Sequence, residues 1–227
     1  MKKTIRTILF ITVAVIAMVC VASFVADPTI TDGLMLATFT PCSYALADNI
    51  AGDCDSPRVA GYEQIGVIFN RADIDWANIS IDANNPRIIK AIAAATGKKP
   101  YALYNNRNNP LPFDGTNTTL NTDTDRYDKT VQFYFEGIGG GAAEDVVEPL
   151  KGGDYIVILQ RKDHSGDGSF QVFGYQAGMK ANAQVQDETT GYWLITMGCS
   201  EPFAEVSFFD TDYATTKTAF DALVAAC

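Results

Sequence analysis

Three short stretches hold residue types capable of chemistry. Lys162–Ser169 (KDHSGDGS) puts Asp163, His164, Ser165 and Asp167 within five positions. Acid, base and hydroxyl are the members of an acyl-transfer triad, but that reaction needs nucleophile, base and orienter converging from separate elements. Neighbours on one loop do not reach that geometry. The same acids offer oxygens to Ca²⁺, yet EF-hand spacing and its closing glutamate are missing, and a soluble hairpin turn accounts for them better. Asp123, Asp125 and Asp128 form a second acidic group of the same kind. Gly139-Gly140-Gly141 lacks both GxGxxG spacing and a following Gly-Lys-Ser/Thr, so it reads as a strand-to-helix turn and not a phosphate cradle. Glu136, Glu201 and Glu205 are carboxylates of the type a glycosidase pairs across a cleft, with nothing in their spacing to single them out. No cofactor, metal site or catalytic residue is expected, and the chain is read as non-enzymatic.

The totals narrow the function further. The 227 residues carry 17 Lys and Arg against 27 Asp and Glu, a net charge of -10. That balance disfavours a nucleic-acid groove, which needs contiguous positive surface. The five cysteines (Cys20, Cys42, Cys54, Cys199, Cys227) include no CxxC pair, and the single His164 rules out a histidine-based metal site. Cys42 and Cys54 are close enough in sequence to bridge; a disulfide there and free thiols both remain open. Lys2, Lys3 and Arg6 precede the apolar run Ile8–Ala26, the pattern of an export leader. Residues 1–34 are accordingly read as a cleaved leader, a retained anchor, or a non-native extension ahead of a start near Met35. A membrane is a partner only if 8–26 is retained.

The elements that would position these residues form one β-rich domain over 35–227. Val131–Phe135, Asp154–Gln160 and Ser169–Tyr175 are β-branched and aromatic runs separated by Gly- and Asp-rich breaks, and they read as the sheet core. Further strands are expected at Met35–Thr40, Tyr62–Phe69, Trp76–Asp82, Pro100–Tyr104, Ala177–Val185, Tyr192–Met197 and Phe203–Phe209, with hairpin material at Thr116–Thr124. Asn85-Pro86 followed by Ile88, Ile89, Ile92 and Ala95 predicts a covering helix over 86–96, stopped by Gly97. Ala143–Leu150 reads as a short helix with Glu144 and Asp145 in its first turn. A C-terminal helix is expected over 212–226, capped by Asp210 or Thr211. The fold class is α+β, mainly an antiparallel β-sandwich with the covering helix near 86–96 and the C-terminal helix 212–226. Long loop insertions at 41–57 and 98–126 are costly to order alone, and a neighbouring subunit can supply the missing contacts.

The blocks DRYDKTVQFYFEG (Asp125–Gly137), LKGGDYIVILQRKD (Leu150–Asp163), GSFQVFGYQAGM (Gly168–Met179), GYWLITM (Gly191–Met197) and FFDTDYATTKTAFDAL (Phe208–Leu223) carry a resemblance. With PCSYALADNIAGDC (Pro41–Cys54) and GYEQIGVIFNRADIDW (Gly61–Trp76), the chain resembles virion structural proteins of tailed phages of Bacteroidetes over about residues 35–225. The likeness implies a tail-tube or connector ring subunit: a small sandwich that stacks as a homo-oligomer with other tail proteins in the virion. Its acidic surface would let DNA pass through the lumen without sticking. It also implies an assembly arm at Pro100–Arg126, with Tyr101, Tyr104, Asn105, Arg107, Phe113 and Arg126 as contact residues. A hairpin at Gln160–Ser169 would bring Arg161, Lys162 and His164 to a ring edge. The export-like N-terminus departs from that pattern. Two alternatives therefore stand: an exported surface or filament subunit, and a periplasmic ligand- or carbohydrate-binding module stacking sugars on Trp76, Tyr101, Tyr104 and Trp193.

Overall fold

The computed structural model describes residues 59–104, 112–137, 139–164, 166–189 and 191–227. The predicted strand at Met35–Thr40, the 41–57 loop, the Cys42–Cys54 pair and residues 1–34 lie outside the described residues. Among the described residues, eleven strands fall into two sheets. The larger contains β1 (Tyr62–Asn70), β2 (Ser80–Ile81), β3 (Ile88–Ala91), β4 (Tyr101–Tyr104), β7 (Tyr155–Arg161), β8 (Phe170–Phe173) and β11 (Val206–Phe208), in the order β2-β3-β11-β8-β7-β1-β4. The smaller contains β5 (Asn117–Asn121), β6 (Arg126–Phe135), β9 (Lys180–Asp187) and β10 (Tyr192–Glu201), in the order β5-β6-β10-β9. Every pairing is antiparallel except β11 with β3. The fold is thus mixed α+β, with two mostly antiparallel sheets and a C-terminal helix.

The burial pattern explains the sequence patterns. Strand β7 is buried from Tyr155 to Gln160 because it lies inside the larger sheet and both its faces are covered. Ile156 and Ile158 join a cluster with Val67, Phe69, Phe170 and Phe220 of the C-terminal helix. Tyr155, Val157 and Leu159 join a second cluster that draws Val131, Phe133, Ile195 and Met197 from the smaller sheet. A strand covered on both sides reads as a continuous apolar run. Strand β6 alternates instead: Lys129, Val131 and Phe133 are buried while Thr130, Gln132 and Tyr134 are half-buried, the period of a sheet with one covered face.

Helical structure is sparse. A short stretch runs through α1 (Gly140–Ala142), a π-helical turn (Ala143–Val147) and α2 (Glu148–Gly152), and it buries Val147 and Leu150. The C-terminal helix α3 (Tyr213–Ala225) is capped by Asp212 and not by Asp210 or Thr211: its Oδ1 accepts the Thr215 N–H at 2.7 Å. Thr216 locks the same turn, donating its hydroxyl to the Asp212 carbonyl at 2.7 Å and accepting the Asp210 N–H at 3.0 Å. Phe220 carries the helix onto the sheet, its ring 5.1 Å from that of Phe170.

The predicted covering helix over 86–96 is not formed. Asp82 Oδ1 accepts the N–H groups of Asn84 and Asn85, Asn85 Oδ1 accepts that of Arg87, and the resulting turn delivers Ile88–Ala91 as strand β3. Its isoleucines are β-branched and serve a pleated face as well as a helical one. The pairing with β11 decides between them: Ser207 sits opposite Ile88 and Phe208 opposite Ile89. The backbone groups that a helix would bond internally go elsewhere, Ala95 N–H to the Asp73 carbonyl at 2.8 Å and the Ala93 carbonyl to Asp75 N–H at 3.0 Å. The predicted strand over Trp76–Asp82 shrinks accordingly to a 3₁₀ turn at Trp76–Asn78 followed by β2.

Candidate functional site

In the loop that gathers acid, base and hydroxyl, the imidazole is held by contacts to the body. His164 stacks on Tyr213, ring centroids 4.4 Å apart and planes 17° from parallel, with Nε2 3.7 Å from Glu63 Oε1. Tyr213 in turn accepts a hydrogen bond from Gln160 Nε2 at 2.9 Å, so the imidazole marks where loop, helix and β1 meet. Asp167 is exposed in a 3₁₀ turn, and Ser165 lies outside the described residues. Asp123, Asp125 and Asp128 belong to the β5–β6 hairpin. There Asn121 Oδ1 accepts the Asp123 and Thr124 N–H groups, Asn121 Nδ2 donates to Asp128, and Asp125 turns the chain with φ 53°. Among the described residues no three His, Cys, Asp or Glu side chains lie close enough to hold a metal ion.

The three glutamates part company. Glu201 is wholly buried, its Oε2 2.7 Å from Lys129 Nζ and its Oε1 accepting the Gln176 N–H at 2.8 Å. Sequence reasoning missed this pair. Its one trace was a lysine at an inward position of an otherwise apolar strand face. Glu205 is bound to Arg161 at 2.8 Å. Glu136 alone opens on an apolar groove.

The residues assigned to an assembly arm and hairpin are placed unequally. Tyr101 and Tyr104 are exposed on β4. Phe113 is buried against Tyr62, rings edge-on at 6.4 Å, with φ 57°; it anchors its segment to the body. Arg126 donates to the Ser200 carbonyl at 2.9 Å from an exposed position. Arg161 is tied inward: besides Glu205 it reaches Gln171 Oε1 at 2.8 Å, where the Tyr62 hydroxyl also donates at 2.6 Å. Lys162 gives its backbone N–H to the Gly61 carbonyl at 3.0 Å. Asn105 and Arg107 lie outside the described residues. Of the four aromatics proposed as sugar platforms, Trp76 lies under the Arg71 guanidinium, 4.9 Å from its ring, and Trp193 packs on the second core cluster. Only Tyr101 and Tyr104 share a groove.

What the structure does bring together is exposed apolar surface at strand edges. The large apolar side chains left exposed among the described residues are Val59, Trp76, Ile81, Tyr101, Tyr104, Leu120 and Val185. Five of these stand on edge strands, Ile81 on β2, Tyr101 and Tyr104 on β4, Leu120 on β5 and Val185 on β9, so each of the four sheet edges carries at least one. Strands β2, β4 and β5 contain no charged residue, and β9 has charges only at its ends, Lys180 and Asp187. An open edge normally carries an interior charge, a proline or a bulge that prevents another strand from pairing with it; the β9–β10 ladder has such an irregularity at Thr196/Met197 and the β2–β3 ladder one at Ser80/Ile81, whereas the β4–β1 and β5–β6 ladders keep a regular register.

Of two large grooves among the described residues, one is lined by an edge strand. A polar one of about 860 Å³ has Arg87, Arg161, Asp163, Asp167 and Glu205 in its walls, both signs of charge already paired in part. An apolar one of about 610 Å³ runs beside β4, between Tyr101–Tyr104 and the helical stretch at Val146, Pro149 and Leu150, with Phe133 and Phe135 also in its lining. No helix among the described residues is long and apolar enough to cross a membrane. No protein-family model, curated protein or solved structure matches the chain.

Proposed function

We propose that this protein is a non-enzymatic structural subunit that assembles with copies of itself through its sheet edges. The observation that carries the reading is the distribution of exposed apolar side chains: they stand on all four edge strands, three of which have no charge to deter pairing. Strand addition at such an edge supplies main-chain hydrogen bonds, and alternate side chains supply fit. The polar groups near the candidate chemistry are meanwhile committed to holding the body together, as in the Arg161–Glu205 and Lys129–Glu201 pairs.

Edges on opposite sides of one body favour a heterologous contact, which closes into rings or runs on as a tube. That form agrees with the sandwich-like tail-tube or connector subunit implied by the sequence resemblance, placed in the virion beside other tail proteins. The net charge of -10 suits a lumen through which a duplex passes without adsorbing. Negative-stain electron microscopy and light scattering on the purified chain test the reading. Rings or tubes are expected, and a monomer that persists at the highest soluble concentration overturns it.

A further inference from the structure

We infer that the groove beside β4 is a docking site for an extended apolar peptide strand carrying lysine or arginine. The inference rests on the assembly reading only in that it gives one open edge a partner. One wall is β4, whose register pairs Tyr101 to Tyr104 with Ile68 to Ile65 of β1 on one side. No strand among the described residues pairs with its other side. The lining is mostly apolar, from Ile68, Leu103, Phe133, Phe135, Val146 and Leu150. Two exposed tyrosines stand at the ends of the four-residue strand, whose length spans about 13 Å at a strand's ordinary rise.

The charge of the site selects the partner. Among the described residues that line the groove, the ionised side chains are Glu136 and Asp145, both carboxylates. Nearby Lys99 is held to the Cys227 carbonyl at 2.6 Å, its ammonium 5.6 Å from the centre of the Tyr101 ring. An acidic segment would enter against two like charges at the exposed rim of the apolar walls, a repulsion that low salt strengthens. A segment that alternates apolar and basic residues places its apolar face on Phe133 and Leu150, its long basic side chains reach around to the exposed carboxylates of Glu136 and Asp145, and its backbone pairs with the side of β4 that no described strand occupies.

A fluorescent peptide of about eight residues alternating valine and lysine, long enough to cover the strand, tests this on the full chain by anisotropy, at a concentration where the protein is monomeric. Binding is expected. It should be about tenfold weaker in Glu136→Lys or Asp145→Lys, the loss of one charge pair, and absent for a valine–glutamate peptide and for a peptide N-methylated at alternate amides. Absence of binding, equal binding of the two charge types, or indifference to N-methylation overturns the inference. The peptide comparisons use the unmodified protein and stand even if a groove variant fails to fold. Peptide binding by a chain that never forms rings would remove the assembly reading alone; rings from a chain that ignores the peptide would remove this one alone.

Discussion

Lys129 and Glu201 meet at 2.7 Å with both side chains essentially sealed from solvent, one on β6 and the other at the end of β10. Lys129 faces Cys199 across the ladder, and Glu201 faces Tyr127, so the ion pair crosses the sheet diagonally. Its carboxylate also accepts the Gln176 N–H, which fixes the loop after β8 to the smaller sheet. Removing one member of such a pair leaves an unpaired buried charge and costs about 3–5 kcal/mol. Lys129→Met is expected to lower the free energy of unfolding by that amount, seen as a fall in the urea midpoint equal to the loss divided by the m-value, and Lys129→Met with Glu201→Leu to recover a large part of it. A double-mutant cycle from denaturation curves checks both.

Phe113 reaches the core from a segment otherwise rich in turns and lies beside Gly66 of β1, whose missing side chain leaves room chiefly for Leu159. A Cβ on Gly66 would lie 2.5 Å from Leu159 Cδ2, 3.1 Å from the Ile158 carbonyl oxygen and 3.5 Å from the Phe113 ring. Gly66→Ala is therefore expected to destabilise by about 1–3 kcal/mol through overpacking. Phe113→Ala is expected to lose about 3–5 kcal/mol by emptying the site. Equilibrium unfolding followed by tyrosine and tryptophan fluorescence measures each.

Acid should unfold the domain through a small set of carboxylates. Asn70 and Lys98 hold Asp73 below the ordinary value of 3.8, Lys90 does so for Asp82, Asn121 for Asp128, and the Thr215 N–H for Asp212. A carboxyl whose folded value is depressed takes up its proton first in the unfolded chain. Its stabilising contribution is complete above the unfolded value and disappears as pH falls through the folded one. Melting temperature should thus hold steady down to about pH 5 and drop below about pH 4. Asp212→Asn, which keeps a capping oxygen but removes the charge, should flatten part of that drop in a thermal series.

Charge placed on an edge should prevent assembly without unfolding the body. Thr119→Lys on β5 and Val185→Lys on β9 alter exposed or edge positions, where substitutions change stability by about 0.5 kcal/mol or less. Both are expected to leave the melting temperature within a few degrees of the parent and to abolish rings or tubes in micrographs. Assembly that survives both changes would point to other surfaces.

Burial drives the Cys199 thiol up to about 12. At pH 8 it should therefore resist iodoacetamide in the folded protein and react once the domain opens, because the thiolate is the reactive form. Peptide mass spectrometry separates its labelling from that of the other cysteines.

Much of the sheet was legible because its apolar runs have unambiguous periods. Tyr155–Gln160 is continuous and buried on both faces, Lys129–Phe135 alternates, and glycine or aspartate breaks bound each. The segment 86–96 misled because isoleucines at positions 88, 89 and 92 fit a helical stripe, while the strand they form depends on residues 206–208, over a hundred positions away. Of the site, Tyr101 and Tyr104 were visible as aromatics on a short strand; Phe113 looked like part of an exposed arm and is a core residue. Edge status could not be read at all, since it depends on the order of strands in space and not along the chain.

That order has a consequence during synthesis. Strand β1 leaves the ribosome early but gains its inner neighbour β7 only after residues 155–161 have emerged, and β3 waits for β11 at 206–208. Until then the nascent polypeptide carries Val67, Phe69 and Ile89 without the cover of Ile156, Ile158 and Val206, and α3, which brings Phe220 to the same cluster, arrives last. Holdase chaperones and a slowed translation rate should raise the soluble yield of this chain more than they would for a fold whose early strands complete their sheet without late partners.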